Sequence, residues 1–461
     1  METLLDRCDV TPRAANHLLA QLVCMGSHTV TNLVSACGGQ FKDWSADYRM
    51  YERNRVSPEA LFAAVRSQLC ERHGGDVVIA LDDTRVRKSG KKTFGVKYTR
   101  DPLGPPFHVN FILAQRFVQT SMACQTREGH ARMIPVDWVH APMPRKPSRH
   151  ASQEQWKHYG ELSNQSCLAR LAVNRMQHVR HWMNESGALE RSLWCVVDGS
   201  FTNATVLKNL PERTVLVGRI RKDAKLYYLP EQQPVAQGRR RQYGVQAPTP
   251  EELRANDAIP WQRISVCAGG ARRRLRVKKL GPLRWRTAGA NLDLQLVVIA
   301  PIAYRTTPKG KTLYRQPAYL ICTDPHATLT QIVQRYVWRW DIEVNFRDQK
   351  TVLGLGEAQV RTPQAIQNVN GLAVAAYAML LTAAETCKQA NLPFLHLPAP
   401  KWRRYKPKRV TTMDLIQNLR YELWAKAILF SDFHATPNNN TNPQKTTLSL
   451  QSATFYATRY S

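Results

Sequence analysis

The sequence predicts an α/β fold preceded by a helical N-terminal region. Three observations carry that expectation. Two apolar, β-branched runs end in acid: Asp76-Val-Val-Ile-Ala-Leu-Asp82-Asp83-Thr84 and Ser192-Leu-Trp-Cys-Val-Val-Asp198-Gly199. Such runs read as buried central strands, the second closed by an Asp-Gly turn signal. The first 72 residues instead carry helical periodicity, in amphipathic spans near 14–25, 30–36, 44–54 and 58–72. Ser57-Pro58-Glu59 marks a helix start, with serine as N-cap and proline at the first helical position.

After the first acid-ended strand, residues 94–122 and 132–139 read as strand-rich, and a long polar-faced helix is expected from about Ser152 to Glu185. Strand 193–198, a short helix near 203–210 and strand 214–220 follow. Residues 221–316 hold Gly238-Arg-Arg-Arg-Gln-Tyr-Gly244, Arg272-Arg-Arg-Leu-Arg-Val-Lys-Lys279 and Arg284-Trp285-Arg286. Cations alternating with apolar and aromatic residues suit a strand with one face toward nucleic acid, and equally a solvated loop. Strands 294–304 and 318–323 lead to a helix that Thr328 or Thr330 caps and Gly354 and Gly356 end. A closing helix covers 363–389. Beyond it lie a Pro/Lys/Arg linker at 393–407, a helix near 412–429 and a tail rich in Asn, Thr and Ser from about His434, expected to be disordered. Lys401-Trp-Arg-Arg-Tyr-Lys-Pro-Lys-Arg409 interleaves aromatics with cations, as a DNA-backbone contact or a plain connector would.

The formal charge is +30, so the chain seeks polyanions, and DNA, RNA and an acidic membrane surface fit the charge alike. A hydrophobic content of 43% and 11 tryptophans exclude overall disorder. The ten cysteines show no Cys-x2-Cys pair and no zinc-finger spacing, which points to a reducing, cytoplasmic setting. Cys195 and Cys322 lie in apolar strand-like runs as buried thiols. The start of the chain lacks the basic region and apolar core of a signal peptide. Apolar stretch 372–384 is too short to span a bilayer and reads as a core helix, so no membrane partner is expected. Gly310-Lys311-Thr312 lacks the earlier glycine of a phosphate loop, which excludes an ATP site of that kind, and His178 and His181 have no third ligand motif.

The most informative stretch is Tyr336-Val-Trp-Arg339-Trp340-Asp-Ile-Glu343-Val-Asn-Phe-Arg-Asp-Gln-Lys350, a Tyr-x2-Arg-x3-Glu-x6-Lys spacing. On one helix at about 100° per residue, Arg339, Glu343 and Lys350 fall within about 60° of Tyr336. A carboxylate flanked by two cations and a phenol suits a place where a metal ion and phosphates meet. It also suits a salt-bridged surface helix, since Arg339 and Glu343 are an i,i+4 pair. Asp341, about 160° from Glu343, should face elsewhere and tolerate neutralisation.

This stretch resembles the signature of DDE-type cut-and-paste insertion-sequence transposases, and Trp340 matches members in which tryptophan follows the arginine. The resemblance implies an RNase H-like catalytic domain with an Asp-Asp-Glu metal site, interrupted by a β-rich insertion before the glutamate helix. It divides the chain into a helical N-terminal domain (1–72), first catalytic segment (73–220), basic insertion (221–316), second catalytic segment (317–390) and basic linker, helix and tail (391–461). It assigns Asp83, Asp198 and Glu343 to two magnesium ions, for which manganese may substitute. Asp83 is preferred over Asp82 because the Asp-Thr dipeptide matches the family's first motif. Tyr336, Arg339, Trp340 and Lys350 are assigned to DNA phosphates near the cut. The N-terminal helices, with Lys42, Arg49, Arg53 and Arg55, are expected to read element ends or to act as scaffold. Trp261 and Trp285 are the candidates for stacking on a base. The expected substrates are double-stranded DNA of terminal inverted repeats and of a target, cleaved and joined by a homodimer on nucleoid DNA. The alternatives are an RNase H-like nuclease without strand transfer and a transposase-derived DNA-binding protein.

Overall fold

In a computed structural model the described residues are 11–102, 104–105, 107–126, 129–231, 241–307, 310–390 and 409–430. The proline-rich linker, the Asn/Thr/Ser-rich tail and Gly238–Arg240 of the insertion lie outside them.

Four helices open the described chain: α1 (Pro12–Val23), α2 (Val30–Ala36), α3 (Ser45–Glu52) and α4 (Pro58–Arg72). Thr11, Thr29 and Ser57 cap α1, α2 and α4, each side-chain oxygen accepting from an amide of the first turn. Strand β1 (Val77–Arg87) follows, then β2 (Lys97–Arg100), β3 (Phe111–Gln125) and β4 (Ala131–His140). The expected long helix is two helices, α5 (Gln153–Gln165) and α6 (Leu168–Glu185). Ser166 ends the first, and its hydroxyl turns back to Leu162 O at 2.8 Å. Strand β5 (Leu193–Val197), α7 (Ala204–Leu207) and β6 (Thr214–Arg219) complete this part.

A single mixed sheet organises the molecule. Its path is β2-β3-β1-β5-β6-β13-β10-β9-β7, with β4 on β3 and β8 on β9. Here β7 is Tyr227–Tyr228, β8 Gln262–Ala268, β9 Ala271–Trp285, β10 Gly289–Ile299 and β13 Ala318–Cys322. Only β1, β5 and β6 run parallel to one another; β3 and β13 flank them antiparallel. The short ribbon β11 (Ala303–Tyr304) and β12 (Leu313–Tyr314) stands apart.

The insertion therefore continues the central sheet, because β10 pairs with β13 over Gln295–Ile299. It is braced by helix α8 (Pro250–Ala255) through a buried amine. Lys278 is fully buried, and its Nζ donates to the carbonyls of Leu253, Arg254 and Asn256 at 3.2, 3.2 and 2.6 Å. Those carbonyls belong to the end of α8, where cations are favoured.

The N-terminal helices pack into the same hydrophobic core as the sheet, sharing it with α11 (Pro363–Gln389). Helix α11 is long and apolar enough to cross a membrane, yet 89% of its most apolar window is buried within the protein. It is a core helix, as expected. Buried polar contacts fasten the N-terminal helices further: Gln21 donates to Leu353 O at 2.7 Å and Asn368 to Tyr51 O at 2.7 Å. This packing fits the scaffold role among the expectations for residues 1–72.

Replacing Lys278 by Met should take the amine donor from the carbonyls of Leu253, Arg254 and Asn256 and cost about 2 kcal/mol or more. A denaturant midpoint unchanged in Lys278→Met would show that the amine does not brace the insertion.

Candidate active site

The site is built where β5 stops and β1 continues. Pairing of β1 with β5 ends at Ala80 and Val196, whereas β1 runs on to Arg87 against β3. The first aspartates thus lie within a strand, and not at its end as the sequence suggests. Continuing the parallel register by two residues brings Asp82 abreast of Asp198. Side chains alternate along a strand, so Asp82 and Asp198 share a face while Asp83 takes the other. Asp83 lies on the face of Arg85, which pairs with Arg116 across the strands.

Each acid is held differently. Asp198 Oδ1 accepts from Ser200 N at 2.9 Å and Ser200 Oγ at 2.7 Å, the Asp-Gly turn foreseen. Its Oδ2 has no hydrogen bond among the described residues. Asp82 is mostly buried, and burial, reinforced by the charge of Asp198, pushes its carboxyl up to about 7, although Arg339 opposes the shift. Burial raises Asp83 too, against the pull of Arg85 and Arg116. The amine of Lys350 is lowered by burial and by Arg85; Asp101 and Asp83 oppose this.

The signature stretch spans two helices, not one. Helix α9 (Leu329–Trp338), capped by Thr328, is followed by α10 (Asp341–Thr351). Between them the amides of Arg339, Trp340, Ile342 and Glu343 each bond three residues back, a tight 3₁₀-like turn. The Arg339–Glu343 pair survives it. One guanidinium nitrogen lies 3.1 Å from Glu343 Oε1 and the other 3.1 Å from Asp82 Oδ2, with only 11% of the side chain exposed. Arg339 also stands 5.8 Å over the Tyr336 ring. Trp340 is 56% exposed, and Glu343 40% in its side chain.

The structure thus joins Asp82, Asp198, Arg339, Glu343 and Tyr336, and sets Asp83 with Arg85, Arg116 and Lys350. Asp82, the neighbour that the sequence ranks below Asp83, is the aspartate of the pair that Arg339 contacts. The available signal was register: strand alternation puts the first of two adjacent aspartates, or the second, on the partner's face, and the Asp-Thr dipeptide says nothing about which. His178 and His181 pair with Glu59 and Glu185.

Among the described residues no three His, Cys, Asp or Glu side chains are grouped closely enough to hold an ion. The donor chemistry nevertheless fits one. Asp82, Asp83, Asp198 and Glu343 offer only hard carboxylate oxygens, suited to magnesium or manganese. The guanidinium between Asp82 and Glu343 marks a place where these acids already hold a cation.

Beside Asp198 opens a cavity of about 1140 Å³, lined by Gly199, Thr202, Arg219, Lys222, Lys225 and Trp285 among others. Of the two insertion tryptophans, Trp285 reaches it, whereas Lys278 and Arg276 stand 4.6 and 5.7 Å over the Trp261 ring. On β9, Arg272, Arg274 and Arg276 form an exposed row with Arg263 of β8 opposite Arg276.

Asp341 faces away from Glu343, as expected, but it is not idle. Its Oδ2 accepts from Met133 N at 3.2 Å, and Arg409 holds both oxygens at 2.6 and 3.2 Å.

Residues 2–290 match a family model described as DDE superfamily endonuclease. Asp82, Asp83 and Asp198 fall inside the match, and Glu343 beyond it. A search of curated proteins finds no match.

Two outcomes follow from this geometry. Asp341→Asn should cost about 1–2 kcal/mol, because it weakens two anchors at once, where an ordinary surface change stays within about 0.5 kcal/mol. Unaltered stability would return Asp341 to a solvated role. For Asp82 the folded carboxyl titrates above its unfolded value, so the proton is bound more tightly in the native state. Its favourable contribution is complete below about pH 4 and is lost as pH rises to about 7. Asp82→Asn should therefore melt increasingly above the metal-free wild type between pH 4 and 7. A constant difference across that range would contradict the shift.

Proposed function

The chain belongs to the DDE superfamily endonucleases, and from that premise we propose that it is a DNA transposase, cutting at the ends of a mobile element and joining them to target DNA. One observation carries the reading: in a strongly basic chain, carboxylates from β1 and α10 pair with Arg339, and the charge of Asp198 at the end of β5 acts on the same guanidinium. The parallel β1, β5 and β6 with antiparallel β3 and β2 support an RNase H-like arrangement.

Asp198, Glu343 and an aspartate of the Asp82–Asp83 pair would hold divalent ions, magnesium or manganese, at the scissile phosphate. Bound there, such ions neutralise phosphodiester charge and make a bound water or 3′-hydroxyl more acidic. The protein's own residues do the rest. The turn at Asp198 fixes one carboxylate through Ser200, and Arg339 fixes Glu343 on its helix. Lys350, close in charge to Asp83, would meet a phosphate on the flank of the cut, with Tyr336 and the exposed Trp340 beside it. The row of Arg263, Arg272, Arg274 and Arg276 would track the DNA backbone, with same-face residues of one strand ~6.8 Å apart. Binding would release counterions and weaken with salt.

The substrates proposed are terminal inverted repeats and target duplex, met in the cytoplasm on the nucleoid, with two copies bridging two ends. A nuclease that cuts without joining shares all of these residues. A strand-transfer assay with pre-cleaved ends separates the two.

Glu343→Gln keeps the shape of the side chain and removes its charge. Cleavage should fall by at least about a hundredfold, the scale of losing one electrostatic stabiliser, while duplex affinity and its salt slope hold. Equal cleavage by Glu343→Gln and wild type would end the proposal.

A further inference from the structure

We infer that Arg85 of β1 and Arg116 of β3 together form a binding site for a backbone phosphodiester of DNA. That the anion belongs to DNA rests on the reading of the chain as a DNA-cutting enzyme; that the pair is built for an anion does not.

The two arginines are directly opposed across the antiparallel β1–β3 pair. Like charges so placed repel, on side chains rooted ~4.5–5.5 Å apart. Their neighbours add to the repulsion. Arg87 of β1 and Lys97 of β2 both oppose Ala114 of β3, two residues from Arg116, and so share its face. Arg87 is neutralised by Asp101 at 2.5 Å. Arg85 is not: among the described residues its side chain makes no hydrogen bond and no ion pair. Its Nε is buried without a partner, and so is the Nε of Arg116. The Arg116 side chain has one hydrogen bond, to Ser166 O at 2.8 Å. The charge of Asp83 acts on both arginines without an ion pair to either.

Each guanidinium carries five donors, so most of the N–H groups of this pair are unused. Unpaired buried donors and two cations face to face both cost stability. An anion arriving from outside relieves both terms at once. Both residues are only half-buried, and two planar forks side by side match the non-bridging oxygens of a phosphodiester. The amine of Lys350 feels the charges of Arg85 and Asp83, so the pair adjoins the site already described.

Sheet order separates this pair from the other basic surface. The row of Arg263, Arg272, Arg274 and Arg276 lies on β8 and β9, and β9 is five strand steps from β1. At ~4.8 Å per step that is roughly 24 Å, with Asp198 at the end of β5 in between. Joining two DNA molecules needs a backbone-binding surface on either side of the acids, and Arg85 with Arg116 supplies the one on the β3 side.

Affinity of the full-length protein for a short blunt duplex of arbitrary sequence, followed against salt, tests the site without requiring cleavage. Arg85→Gln should weaken binding several-fold and lower the slope of log affinity against log salt by about one, the mark of one lost phosphate contact. Arg85→Lys should keep the slope. Without DNA, Arg85→Gln should melt no lower than wild type, because it relieves the repulsion with Arg116. Arg213→Gln, at an exposed pair with Glu190, controls for the loss of any one charge and should leave the slope unaltered. An unchanged slope in Arg85→Gln, an equal fall in Arg213→Gln, or a lowered melting temperature in Arg85→Gln would overturn the site. The transposase reading survives any of these where wild type cleaves and Glu343→Gln does not. Cleavage and strand transfer on the same preparations name the strand held. Loss of transfer alone in Arg85→Gln assigns the pair to target DNA, and loss of both assigns it to the element end.

Discussion

The geometry of the site depends on a buried polar seam beneath helix α10. Asp341, Asn345, Asp348 and Gln349 fall on one side of that helix, at spacings of four, three and one. Asn345 donates to Met133 O at 2.9 Å and accepts from Tyr377 at 3.3 Å. Asp348 accepts from Thr412 at 2.6 Å, and Gln349 donates to Gln119 at 2.8 Å. These partners come from β3, β4, α11 and α12 (Thr412–Phe430). An apolar face can slide or rotate with modest loss, but a row of buried hydrogen bonds is satisfied in one register only. That register points Glu343 and Lys350 the opposite way, toward β1. The helix that carries the glutamate is thus held in register by polar specificity, in addition to the packing of Ile342 and Phe346 in the core.

The rest of the architecture serves this seam. Tyr377 sits in the middle of α11, whose remaining surface is filled by the N-terminal helices on one side and the sheet on the other. The C-terminal helix closes the seam through Thr412 and Arg409, and Arg420 reaches Cys24 O at 2.7 Å near the end of α1. The two ends of the described chain are therefore joined over helix α10. Residues 11–72 accordingly share one hydrophobic core with the sheet, which their helical periodicity alone does not reveal.

Local patterns made much of this legible. Caps and periodicity predict α2 and α4 at their observed bounds, and the apolar runs predict β5 to within one residue and the start of β1, whose far end they place at Asp82 where the strand runs on to Arg87. The acid-ended runs and the spaced signature lead to Asp198, Arg339 and Glu343, which the structure brings to one place. Illegible were features that depend on partners distant in sequence. No composition says that β1 outlasts β5, so the preference for Asp83 over Asp82 rests on the Asp-Thr dipeptide alone. A turn bonded three residues back differs too little from a helix for periodicity to detect at Arg339. The polar stripe from Asp341 to Gln349 was visible in the sequence but reads as solvated, because a buried and an exposed polar face have the same spacing.

Electrostatics connects these points. A chain of charge +30 gathers carboxylates at one place against burial, which raises both Asp82 and Asp83. Such a cluster is tolerable only if cations stand within it, and the sequence provides two kinds. Arg85 and Arg116 are fixed on strands, whereas Arg339 sits at a helix junction, where one side-chain rotation changes its partners. The strand arginines act on Asp83 through charge without an ion pair, whereas Arg339 contacts Asp82 and Glu343 directly. The asymmetry between neighbouring aspartates thus follows from a one-residue step along a strand.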